Sequence, residues 1–147
     1  MATVKKTKSP APKAVAEKKS AKKIVPKSVK VDPEESLVRL CAEAAYDKKA
    51  EDLVVLDMRG ISSFTDFFLI VSGTSEPQLK AIASSIRERV RDVTGIRPIA
   101  EDGFPASQWV IIDYGSVIIH IFHKEKRDLY GLESLWGDAG RLEIEPS

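Results

Sequence analysis

Gly73-Thr74-Ser75 is where this sequence comes nearest to catalytic chemistry. The tripeptide lies between an apolar run and a helical one, and amides at a helix N-terminus can hold a phosphate. Nucleotidyl transfer built on such a turn also needs paired carboxylates, because two-metal chemistry depends on clustered oxygen ligands. The strands that follow supply none: Ile99, Ile111 and Ile118 stand where an acidic pair would be sought, and Asp113 is alone at a turn. The same tripeptide is also a good helix cap, since Ser75 and Gln78 have capping-box spacing and Pro77 sits inside the first turn. His120 and His123 are three residues apart in an extended run, so they face opposite ways and make a poor metal pair. Cys41 falls in the apolar stripe of a helix, with no histidine near it in sequence and no flanking cation to favour a thiolate. There is no P-loop, no dinucleotide fingerprint and no Cys-X-X-Cys. The residues predict no catalytic centre, no metal and no cofactor.

The elements that would position any site are organised by Trp109 to His123, which reads as a β-hairpin. Two β-branched runs flank Tyr114-Gly115, and a two-residue loop containing Gly suits a tight turn with positive φ. That loop pairs Asp113 with Ser116, Ile112 with Val117, Ile111 with Ile118, Val110 with Ile119 and Trp109 with His120. Val110, Ile112, Val117, Ile119 and Ile121 then share one face, which is a core face. The other face carries Trp109, Ile111, Asp113, Ser116, Ile118, His120 and Phe122, a mixture suited to a partner.

Asp32-Pro33-Glu34-Glu35 has the order of a helix start, and Leu37, Leu40, Cys41, Ala44 and Ala45 fall on one helical stripe. Asp52 to Met58 and Asp66 to Ser72 are apolar runs of strand length, expected to sit centrally. Phe64, Phe67 and Phe68 read as packing, since no basic residues interleave them for stacking on nucleic acid. A long helix follows Ser75, with Leu79, Ile82, Ala83, Ile86, Val90 and Val93 as its apolar stripe and Gly95 as its stop. Its outer face carries Lys80, Arg87, Glu88, Arg89 and Arg91, either a solvated face or an RNA site. Arg97 to Ala100 suggests a short edge strand limited by Pro98. Glu125 to Tyr130 suggests a helical turn, after which Leu132, Leu135 and Trp136 return to the core. The order predicts an α/β domain: a two-layer mixed sheet with helices mainly on the Val110/Ile112 face and much of the second face open.

Charge divides the chain. Residues 1 to 32 hold ten lysines against Glu17 and Asp32, a balance of +8, so the overall +1 leaves −7 for residues 33 to 147. The first segment has no aromatic residue and no period, which predicts a disordered tail able to attract RNA without reading its sequence. Residues 33 to 147 form the folded domain. No run approaches the roughly 18 apolar residues of a membrane helix, and the single cysteine and absence of a secretory signal predict a cytoplasmic protein.

From about Leu37 to Trp136 the chain resembles the ribosomal silencing factor (Iojap) family. The resemblance rests on Thr65-Asp66-Phe67-Phe68, Gly73-Thr74-Ser75, Gly103 with Trp109-Val110-Ile111-Ile112-Asp113-Tyr114-Gly115, Val117-Ile118-Ile119-His120-Ile121-Phe122, and Tyr130-Gly131-Leu132-Glu133-Ser134-Leu135-Trp136. Two departures are Ser116, where the family usually has Asp, and the lysine-rich tail, which lies outside the match. The resemblance implies a nucleotidyltransferase-like fold without catalysis. It also implies binding to universal ribosomal protein fourteen on the large ribosomal subunit, a block on joining of the small subunit, and lower translation when nutrients are scarce. Carried over, the partner-contacting residue is Trp109, with Asp113, Tyr114 and His120 as further candidates.

The residues alone reach an interaction module by another route: an open sheet face, an acidic body and no catalytic set. On that open face the Trp109 ring has no committed packing partner, which predicts an interface anchor contributing little to folding. The same face could serve a homodimer. The rivals are a nucleotidyltransferase-type enzyme, opposed by the missing acidic pair, and a tail-driven RNA-binding protein.

Overall fold

In the computed structural model, residues 32–103 and 108–146 are described; the lysine-rich segment ahead of Asp32 and most of the 104–108 loop lie outside them. Helix α1 (Pro33–Tyr46) starts as its sequence dictates: the Asp32 carboxylate accepts from the Glu35 amide at 2.8 Å and Pro33 takes the first turn. Strand β1 (Glu51–Asp57) and strand β2 (Phe67–Gly73) follow, and β2 is buried along its whole length. Helix α2 (Glu76–Thr94) is capped by Ser75, whose hydroxyl accepts from the Gln78 amide, and ends on Gly95 at φ +80°. Strand β3 (Ala100–Asp102) and the hairpin strands β4 (Trp109–Asp113) and β5 (Val117–His123) come next. Helix α3 (Lys124–Tyr130), the single turn α4 (Leu132–Leu135) and strand β6 (Gly140–Leu142) complete the chain.

The strands form one six-stranded mixed sheet in the order β3-β4-β5-β2-β1-β6. Only β2 and β5 run parallel; the other pairs are antiparallel. Helices α1 and α2 lie side by side on one face, over a core that includes Val38, Cys41, Leu69, Ile82, Ile86, Val110, Ile112, Val117, Ile119 and Ile121. The hairpin's core face is therefore the one its alternation predicts, and Phe67 and Phe68 are buried packing residues. Among the described residues no helix is long and apolar enough to cross a membrane.

The structure corrects four expectations. The hairpin register is offset: Trp109 pairs with Phe122, Ile111 with His120 and Asp113 with Ile118, while the Tyr114 amide donates to the Val117 carbonyl at 2.9 Å. The loop is thus Gly115-Ser116, one residue later than expected, because the left-handed φ of +90° falls on Gly115 and glycine suits the first loop position. Moving the loop by one residue changes the register by two, which preserves every side chain's face. The edge strand is Ala100–Asp102 rather than residues 97 to 100, since Pro98 cannot donate to a ladder. Val93 and Leu135 are solvent-exposed, at 63% and 68%, not part of the core. Finally, the second face is not left open: Leu56, Met58, Phe68, Ile70, Phe122 and Ala139 form a second buried cluster, with Leu132 and Trp136 packed on it.

Candidate functional site

Trp109 begins β4 at the rim of that second cluster. Its indole stacks on Phe122 with ring centres 5.0 Å apart and lies 4.4 Å from the ring of Tyr130. Its Nε1–H donates to Nδ1 of His120 at 3.1 Å. The ring therefore has committed partners inside the domain, contrary to the expectation that it had none, because α3 carries Tyr130 back over the sheet. Trp109 is half-buried and Tyr130 is 46% exposed, with Leu129 beside it in sequence and 70% exposed. An aromatic surface, stacked from beneath and open on one side, is the result.

His120 holds the indole from below. It is 6% exposed, and burial depresses its pKa to about 3, so it is neutral in ordinary conditions. Because Nδ1 accepts the indole hydrogen, the proton of the neutral ring sits on Nε2, which finds no hydrogen-bond acceptor among the described residues. The ring instead stands edge-on to Phe68 with centres 4.7 Å apart, a geometry in which a ring N–H or C–H meets a π face.

A buried arginine fastens the covering segment to the sheet. Arg127 reaches from α3 to donate from Nη1 to the Ser72 hydroxyl at 2.8 Å, and it grips both oxygens of Glu133 through Nε at 2.9 Å and Nη2 at 3.2 Å. The guanidinium hydrogen bonds hold the Glu133 carboxyl below its ordinary pKa. Gly131, at φ +59°, ends α3 and lets the chain turn so that Glu133 returns to Arg127. Sequence reasoning missed this clamp, since Ser72 and Arg127 are 55 residues apart and neither lies in a motif.

The other candidates separate. Asp113 accepts from the Gly115 amide at 2.7 Å and so shapes the hairpin turn. Tyr114 points to the opposite face and is buried with the main core, where burial raises its pKa. Trp109 and His120 are therefore in contact, while Asp113 and Tyr114 sit at the far end of β4. At the Gly73-Thr74-Ser75 turn, Gln78 Oε1 accepts from the Thr74 amide at 2.7 Å and its Nε2 donates to the Lys48 and Lys49 carbonyls. Gln78 thus occupies an amide that a phosphate would need. A Cβ on Gly73 would meet Leu79 Cδ2 at 2.8 Å, so a larger residue there would have to push aside the Leu79 and Gln78 side chains.

The comparisons assign a class. Residues 31–147 match the family model described as ribosomal silencing factor during starvation, and the chain belongs to that family. A ribosomal silencing factor of Halalkalibacterium halodurans is 46% identical over 111 residues, covering 76% of this chain and 94% of the relative. That of Bacillus subtilis is 43% identical over 112 residues, with the same coverage of each. A more distant mouse relative, named mitochondrial assembly of ribosomal large subunit protein 1, is 31% identical over 60% of this chain and 40% of its own. A crystal structure from Bacillus halodurans superposes with a TM-score of 0.66 at 42% identity, covering 74% of this chain and 98% of that one.

Proposed function

We propose that the protein silences translation by seating on universal ribosomal protein fourteen of the large ribosomal subunit, where its bulk keeps the small subunit from docking. The observation that carries this reading is the Trp109 surface: a half-buried indole pre-oriented by His120, flanked by the exposed Tyr130. Aromatic anchors held rigidly before binding lose little side-chain entropy on association, and Trp and Tyr dominate interface hot spots. The names of the relatives support a ribosomal partner, and a body of charge −7 complements a basic ribosomal protein. His120 acts beneath the contact by fixing the indole; Asp113 and Tyr114 contribute by setting the turn that fixes β4. The frame is read as nucleotidyltransferase-like without catalysis, acting by occlusion in the cytoplasm. A homodimer through the same aromatic face would compete with the ribosome.

The test is sedimentation of the purified protein with separated ribosomal subunits. Wild type should travel with the large subunit and prevent its reassociation with the small one. Trp109→Ala, shown to be folded, should do neither. Equal binding to both subunits, or undiminished binding by the variant, would refute the reading. Metal-dependent incorporation of labelled nucleotide, lost in a Ser75 variant, would show catalysis instead.

A further inference from the structure

We infer that the face of the domain opposite Trp109 carries a second contact, a docking strip for the phosphodiester backbone of RNA along α2. Lys80, Ser84, Arg87 and Arg91 recur at intervals of four, three and four residues and so line one face of that helix over about 16 Å. Arg97 continues the row beyond the Gly95 cap, and Arg87, Arg91 and Arg97 border an open cleft of about 400 Å³ in which they outnumber the carboxylates Glu88 and Glu101. Arg97 and Lys80 are exposed and make no hydrogen bond or ion pair among the described residues. The only ion-pair partner of Arg91 among them is its neighbour Asp92, at 3.8 Å. Arg87 is held over the cleft by Glu101 at 3.2 Å and by the Ser84 hydroxyl.

Cations in the last turn of a helix ordinarily offset its dipole. That accounts for Arg91, but not for Lys80, which stands near the N-terminus where a cation is disfavoured, nor for Arg97, which lies past the cap. These four cations are grouped on a body whose net charge is −7. Guanidinium forks at regular steps match the repeating charge of a phosphate chain, and among the described residues no aromatic side chain borders the cleft to stack a base. The contact is therefore with backbone, independent of sequence.

Topology adds the second argument. The Ser85 hydroxyl donates to the Ala44 carbonyl and Gln78 Nε2 to the Lys48 carbonyl, so later residues of α1 meet earlier residues of α2; the two helices are antiparallel and the first turn of α1 lies toward the Arg91 end of α2. The segment with ten lysines joins the domain at Asp32, just ahead of that turn. Asp32, where that segment is attached, and Arg91 thus lie toward one end of the helix pair, while Trp109 lies at the far end of β4 on the other face. Both contacts can be made at once. This inference stands apart from the proposed protein partner, since it is tested without ribosomes.

The experiment measures fluorescence anisotropy of a short labelled oligouridylate with the full chain across a KCl series. Arg91→Ala/Arg97→Ala is compared with Lys124→Ala/Lys126→Ala, which removes equal charge elsewhere. Losing two phosphate contacts should reduce the slope of log affinity against log salt by about 1.4, at about 0.7 per contact, with an unchanged melting temperature. Arg97→Glu alone should weaken binding further than Arg97→Ala. Arg91→Ala/Arg97→Ala binding like wild type, a loss no larger than that of the Lys124/Lys126 control, or equal competition by polyglutamate of matched charge would each overturn the assignment.

Discussion

The indole of Trp109 is hydrogen-bonded to a histidine that cannot easily take a proton: His120 Nδ1 accepts from Nε1 at 3.1 Å within a site that excludes water from the ring. A surface residue is thereby fixed by a core residue, and stability and binding become separable by graded substitution. Trp109→Phe should keep the stack on Phe122 and lose one hydrogen bond, a cost of about 1 kcal/mol. Trp109→Ala should lose the stack as well, about 2 to 3 kcal/mol in all, while remaining folded. Urea unfolding beside subunit co-sedimentation checks both; binding is expected to fall far more than stability in the alanine variant and only slightly in the phenylalanine variant.

Stability should fall with acid through His120. Its folded pKa is lowered from 6.5 to about 3 by burial, so between those values the unfolded chain binds a proton that the folded chain does not. The contribution is fully present above the unfolded value and is lost as pH falls below it, at up to about 1.4 kcal/mol per pH unit. His120→Asn keeps an acceptor for the indole and does not titrate. Its unfolding free energy should be flatter between pH 6.5 and pH 5 than that of wild type, as chemical denaturation at stepped pH would show.

The Arg127 clamp predicts a different acid response. Glu133 has a depressed folded pKa, so its contribution is present above the unfolded value near 4.5 and disappears as pH falls through the folded one. Glu133→Gln should abolish that component below pH 4.5 and leave the His120 component intact. Arg127→Ala strands the Ser72 hydroxyl and Glu133 and should cost about 3 kcal/mol or more. Hydrogen exchange should locate the loss in α3, α4 and β6, before the main core opens.

Gly103 adopts φ +101°, and a Cβ there would fall directly on the carbonyl oxygen of Trp109 and 2.9 Å from Val110 Cα. Backbone cannot move aside as a side-chain tip can. Gly103→Ala should therefore destabilise by more than about 1 kcal/mol, whereas the same change at an unstrained position is stabilising. The chemical shift of the Trp109 indole proton should move with it; an unchanged melting temperature and indole resonance would contradict the close approach.

Helix α1 depends on one side chain that serves two neighbours. Asp32 caps the Glu35 amide and pairs with Arg59 at 3.0 Å. Asp32→Ala should cost about 1 kcal/mol, chiefly from the cap, since the Arg59 pair is partly exposed. Asp32→Asn should recover most of it, and thermal melts of the two variants provide the comparison.

What could be read beforehand was whatever chemistry is local. Asp32, Ser75 and Gly95 carry their capping roles in their own few residues, and the faces of Val110 and Ile112 follow from the period of a strand. The hairpin register was two residues off because the sequence offers glycine at either loop position, and only the turn geometry chooses. Strand β6 was invisible: Gly140-Arg141-Leu142 has no strand character of its own and is extended because β1 pairs with it. The closing of the second face was likewise hidden, since it depends on Arg127 finding Ser72 and on Gly131 redirecting the chain. Trp109 could be named as a contact residue, but its dependence on His120 and Tyr130 required the fold.

That late strand has a bearing on how the domain folds. Leu142 pairs with Val55, and the Tyr46 hydroxyl donates to the Ile144 carbonyl at 2.9 Å across 98 positions of sequence, so the first elements of the domain are completed by residues far along the chain. Contacts so distant in sequence form late and raise the entropy to be overcome before they stabilise. Until β6 docks, the β1 edge is bare and prone to pair with another chain. A three-residue strand thus acts as a seal, and aggregation during refolding should track how quickly it closes.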